Sequence, residues 1–155
     1  MRLVFLLLPI LLLAGCSQEP KPAPAPAPEK QAAPPPDDTR RFPADGRQDA
    51  KVIAEHILGH PFLPGGNLAT YQRGKQQYSL ILIRTASPTD AAILLLDFKK
   101  NLANPKLIAH FGGYFGKDGA QPTFVFTKAH WLAGVVGLPE AEADAVARPF
   151  AARLD

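Results

Sequence analysis

Four histidines, one cysteine and three serines are the side chains of this 155-residue chain best suited to metal, nucleophilic or acid–base chemistry. His56 and His60 stand four apart, a spacing that on a helix sets two imidazoles on one metal ion. Gly59 interrupts that spacing, no Glu-x-x-His pattern accompanies it, and His56 falls on the apolar face of the helix expected there. His56 is therefore read as a partly buried structural residue, and no metal site is assigned. His110 and His130 gain meaning only if the fold brings them together. Ser79 lies in a strand pattern and Ser87 at a helix start, and neither sits in a nucleophile-elbow motif. Glu140, Glu142 and Asp144 crowd the start of another expected helix and read as a solvent-facing charged turn. An enzyme would rest on the four histidines alone, so no catalytic residue and no cofactor are assigned.

Glycines at 112, 113, 116 and 119 let a backbone approach an anion closely, but Gly116-Lys117 is followed by Asp118 rather than Ser or Thr. The stretch reads as a turn. Tyr114, Phe115 and Trp131, large apolar side chains near glycines, are candidates to line a groove, with core packing as the competing role.

The one cysteine, Cys16, follows a basic start, an apolar run from Leu3 to Ala14, and Gly15. About 12 apolar residues reach only about 18 Å as a helix, short of a roughly 30 Å hydrocarbon core, so residues 1–15 read as a secretory signal peptide. Leu13-Ala14-Gly15-Cys16 resembles the lipobox of bacterial lipoproteins. The resemblance implies cleavage before Cys16, acylation of its sulfur and a lipid anchor in the bilayer. Ser17 resembles the outer-membrane sorting pattern where a host has two membranes. Several acyl chains anchor stably where one does not. An acylated Cys16 leaves no thiol for disulfides or catalysis.

Residues 16–42 carry alternating Pro-Ala and the run Pro34-Pro35-Pro36, a composition that favours extended polyproline II. At about 3.1 Å per residue such a tether spaces a domain up to about 75 Å from the lipid. Residues 43–155 suffice for one α+β domain with a single core. Its charges are scattered with a modest positive excess, and the whole chain carries a net charge of +3, so nucleic-acid binding is unsupported.

The elements that must position any site follow from periodicity. A first helix is expected over Arg47–Leu58, with Val52, Ile53, His56 and Ile57 on one face. A hairpin follows over Asn67–Ala86, whose run Leu80-Ile81-Leu82-Ile83 predicts a central strand covered on both faces. Ser87-Pro88-Thr89-Asp90 resembles a capping box opening a helix that runs to about Ala103. Ala91, Leu94, Leu95, Phe98 and Leu102 line its inner face, while Ile93 and Leu96 fall outside as an apolar interaction patch. A strand at Lys106–Phe111, a hairpin turning near Ala129, and a helix from Glu140 complete the chain. The last helix buries Ala143, Val146, Ala147, Phe150 and Leu154, with Pro149 expected to kink it. The result is an antiparallel sheet of about five strands packed by two or three helices. The order hairpin-then-helix occurs twice, with Phe98 and Leu102 matched by Phe150 and Leu154, which suggests a hairpin–helix pseudo-repeat.

That order of elements, and the run FGKDGAQPTFVFTKAHWLAGVVG above all, resembles an uncharacterised family of small bacterial exported domains with no assigned activity. The resemblance spans about half the chain and implies no functional residues. The expected function is a non-enzymatic, membrane-anchored module that binds another envelope protein. The alternative is a carrier of a small apolar ligand, with room beside Trp131-Leu132-Ala133-Gly134.

Overall fold

A computed structural model of the chain describes residues 33–155. The expected signal peptide, Cys16 with its expected lipidation, and most of the expected Pro/Ala tether lie outside the described residues. Among those described, no helix is long and apolar enough to cross a membrane.

The chain forms β1 (Arg47–Glu55), β2 (Pro64–Arg73), β3 (Gln76–Arg84), α1 (Pro88–Asn101), β4 (Ala103–Ile108), β5 (Gly113–Asp118), β6 (Gln121–Lys128), β7 (Trp131–Val136) and α2 (Glu140–Ala151). One antiparallel sheet runs in the order β1-β2-β3-β7-β6-β5-β4. The class is α+β, with seven strands where about five were expected.

β3 is central, as its apolar run requires: Leu80, Ile81, Leu82 and Ile83 are all fully buried. Because side chains alternate across a strand, Leu80 and Leu82 join Phe124, Phe126, Val135 and Phe150 on one face. Ile81 and Ile83 join Val125, Leu132, Leu95 and Phe98 on the other. α2 covers the first face and α1 the second, which makes three layers.

The two strands missing from the expected five were lost for different reasons. Arg47–Glu55 has helix-forming residues, yet it pairs with β2 from Arg47↔Tyr71 to Glu55↔Pro64. A helix there would leave one edge of β2 unpaired, and backbone pairing along a whole strand outweighs weak helix propensity. The expected helix over Arg47–Leu58 is therefore a strand, closed by a 3₁₀ turn at Ile57–Gly59 in which His56 and Leu58 have φ of 52° and 60°. β5 was hidden by its glycines. A Cβ at Gly113 would lie 2.4 Å from the Val125 carbonyl oxygen, and one at Gly116 would lie 2.9 Å from that of Ala103. Both glycines serve close strand crossings, so the glycine-rich stretch is a strand between two turns.

α1 starts as expected. Ser87 Oγ accepts from the Asp90 amide at 3.1 Å and donates to the Asp90 carboxylate at 2.7 Å, with Pro88 in the first turn. α2 continues through Pro149 to Ala151. The hairpin–helix order occurs twice but does not repeat in space. A two-fold axis through the antiparallel β3–β7 pair would keep both helices on one face, and they lie on opposite faces.

The folded body also begins before residue 43. Asn67 is buried and holds the incoming chain at both ends of its amide: Oδ1 accepts from the Asp38 amide at 2.9 Å, and Nδ2 donates to the Pro36 carbonyl at 3.1 Å. The Asp38 carboxylate, 3% exposed, receives both Nε and Nη2 of Arg84. Phe42 stacks on Phe150 with ring centroids 5.5 Å apart. Residues 36–42 thus form a strap across the sheet.

Candidate binding groove between β4 and α2

β4 ends at Ile108, and the turn after it carries His110 over the flank of α2. Along α2, Glu140, Asp144 and Arg148 recur every four residues, so they share one side of the helix. The two elements face each other across a groove of about 540 Å³ lined by Leu107, Ile108, Ala109, His110, Phe124, Glu140, Ala141 and Asp144. Phe124 and Ile108 belong to the buried core, so the floor is apolar.

The rim is charged and internally paired. Lys106 Nζ donates to both Glu140 oxygens at 2.7 and 3.0 Å. His110 Nε2 contacts Asp144 Oδ1, and Arg148 Nε donates to Asp144 Oδ2 at 2.8 Å. Burial pushes the Asp144 carboxyl upward, but the hydrogen bonds and charges of Arg148 and His110 outweigh it and hold its pKa below the usual carboxylate value. Asp144 is therefore ionised near neutrality, so the Nε2–H tautomer of His110 is the one that can donate to its Oδ1. An apolar floor beside the paired charges Lys106–Glu140 and His110–Asp144–Arg148 marks this groove, and two other hollows lie elsewhere on the described residues. One, of about 300 Å³, lies beside Tyr71, Tyr78 and Pro149. A wider hollow of about 700 Å³ is walled by the chain's own Pro34, Pro35 and Pro36 as they pass Pro61 and Phe62.

The candidates read from the sequence are dispersed. His56 is exposed rather than partly buried, in a turn beside Glu55, and shares no helix with His60. His60 instead meets Asp118 at 2.6 Å, its ring against Phe62 and Phe98. His130 packs on Trp131 in the β6–β7 turn, and His110 lies at the groove. Among the described residues no three His, Cys, Asp or Glu side chains are placed to hold a metal ion. Tyr114, Phe115 and Trp131 do not line one groove. Tyr114 lies on the α1 face under Lys99, and Phe115 packs on the α2 face. Trp131 is buried, with the Arg41 and Arg84 guanidinium groups 4.8 and 4.7 Å from its ring centre. Ile93 and Leu96 are exposed on the outside of α1, 54% and 49%, and the pattern missed Leu107 at 56%.

Sequence reasoning treated Glu140 and Asp144 as a solvated helix start and left His110 without a partner. The four-residue spacing that continues to Arg148 was the available signal. Lys106 and His110 joined it only through the sheet. Compared with family models, curated proteins and solved structures, the chain matches none.

Proposed function

We propose that this chain is a bacterial envelope lipoprotein, anchored through acylated Cys16, whose folded domain docks a segment of another envelope protein in the groove between β4 and α2. The domain is a non-enzymatic binding module. One observation carries the reading: an apolar floor of Phe124 and Ile108 bounded by a rim of paired charges, the layout of a protein interface with an apolar centre and a polar margin. β4 is also an edge strand, so the groove lies beside backbone groups without a neighbouring strand. Ile93 and Leu96, on the other face of the sheet, supply a separate apolar patch. The pairing of Asp144 with Arg148 and His110 suits recognition: each carboxylate at the rim is already neutralised.

The carrier alternative needs room beside Trp131-Leu132-Ala133-Gly134. Ile81 fills that room, since a Cβ at Gly134 would lie 2.9 Å from its side chain. The Pro/Ala tether fits the docking reading because it lets an anchored domain reach a partner away from the lipid. Ser17 favours outer-membrane sorting in a host with two membranes.

Two measurements test the reading. Cys16→Ser is expected to abolish acyl labelling and release the protein from the membrane fraction. A photo-crosslinking side chain at Ala141 in intact cells is expected to trap a discrete protein adduct, absent with the same group at exposed Gln48. Crosslinking at background level from Ala141 removes the docking proposal.

A further inference from the structure

Resting on that groove reading, we infer that the docked segment presents a carboxylate beside its apolar residue, so that the partner motif is acidic and apolar rather than basic. The argument is an inventory of hydrogen-bond capacity at the rim. Each of the four carboxylate oxygens of Glu140 and Asp144 already accepts from a cationic or imidazole donor. The donors are not used up. Lys106 has three N–H groups and gives them only to Glu140, and Arg148 has five N–H groups, of which Nε–H serves Asp144.

Arg148 Nη2 is the telling group. It lies 3.1 Å from His110 Nε2, a nitrogen that cannot both donate to Asp144 Oδ1 and accept from Arg148. With Nε2 donating to the carboxylate, Nη2 has an N–H to offer an acceptor elsewhere. The cations also stand further out than the acids they neutralise. Lys106 and Arg148 side chains are 64% and 61% exposed, whereas Glu140 and Asp144 are 39% and 24%. A segment entering the groove meets positive charge and open N–H groups first. Its carboxylate extends two ion pairs into a network, and planar guanidinium groups favour such partners. A basic segment would have to displace Lys106 or Arg148 from its carboxylate before binding.

The test is selection of phage-displayed random peptides on the acylated mature chain, beginning at Cys16, in phosphatidylcholine nanodiscs, with empty discs used for subtraction. Binders are then measured against Ala141→Trp, which fills the groove, and against Lys106→Gln/Arg148→Gln, which removes the open donors. Thermal melts confirm that both variants remain folded. The expected result is peptides with Asp or Glu next to a large apolar residue, lost on Ala141→Trp and weakened about tenfold on the double variant. Peptides that need the open groove but lack acids and bind the double variant equally overturn the carboxylate inference while leaving the groove reading in place. Peptides indifferent to Ala141→Trp overturn the groove reading, and the inference with it.

Discussion

Asp144 shows how a side chain's role depends on what the fold sets against it. Alone at a helix start it would be one more solvated acid favoured by the helix dipole. Here, burial raises its pKa and the hydrogen bonds and charges of Arg148 and His110 lower it by more. A depressed folded value means that the group contributes stability above its ordinary value of 3.8, and that this contribution is lost as pH falls through the lowered one. Arg148→Gln is expected to move the Asp144 titration, followed by carboxyl carbon NMR, back up toward the ordinary range. His110→Gln should move it up by less, because the hydrogen bond and charge of His110 lower it less than those of Arg148. An unmoved Asp144 titration in Arg148→Gln would mean that the rim is not a coupled network. The acids could be seen in the sequence, but their partners could not. Lys106 and His110 are each 34 residues from the acid they meet, Glu140 and Asp144, and reach it only because β4 and α2 lie on one flank of the sheet.

Elements whose pattern was dictated by their own burial were legible. β3 needed covering on both faces, α1 carried a cap and an apolar stripe, and β6–β7 read as a hairpin turning near Ala129; all three are present. The elements that escaped are shaped by neighbours. β1 is a strand because β2 has an edge to satisfy, and β5 is rich in glycine because β6 and the end of α1 crowd it. This distinction predicts the ranking of two small substitutions. Ser87→Ala removes a local cap and should cost about 1 kcal/mol. Gly113→Ala drives a methyl group to 2.4 Å from the Val125 carbonyl oxygen and 2.7 Å from Phe126 Cβ. Neither neighbour can yield without moving β6, so a cost of about 2 kcal/mol or more is expected. Urea denaturation of both variants checks the order; an alanine at 113 that costs less than one at 87 would show that β5 sits further from β6.

For the molecule as a whole, the strap of residues 36–42 ties the Pro-rich segment ahead of it to the folded body. Composition placed the start of the domain at residue 43, because Pro34-Pro35-Pro36 and the acids after them have no apolar period. The structure takes hold of the chain earlier, through Asn67, Arg84 and Phe150. Arg41 and Arg153 exchange hydrogen bonds with each other's carbonyls at 2.9 and 2.7 Å, so the strap is also tied to the chain's last residues. A chain beginning at residue 43 therefore loses a buried Phe42, uncovers Trp131, and leaves Arg84 without Asp38. Loss of a core phenylalanine alone costs about 3 kcal/mol, which lowers the melting temperature by on the order of 10 °C in a domain of this size. Trp131 is the only tryptophan in the chain, so its emission reports the strap directly. Removing residues 33–42 should shift that emission to the red while the far-ultraviolet circular dichroism stays native. Asp38→Ala should reproduce part of the loss in stability with little red shift, since Phe42 still covers the core. If chains starting at 33 and at 43 melt together and emit alike, the strap carries no load, and the tether ends where composition first placed it.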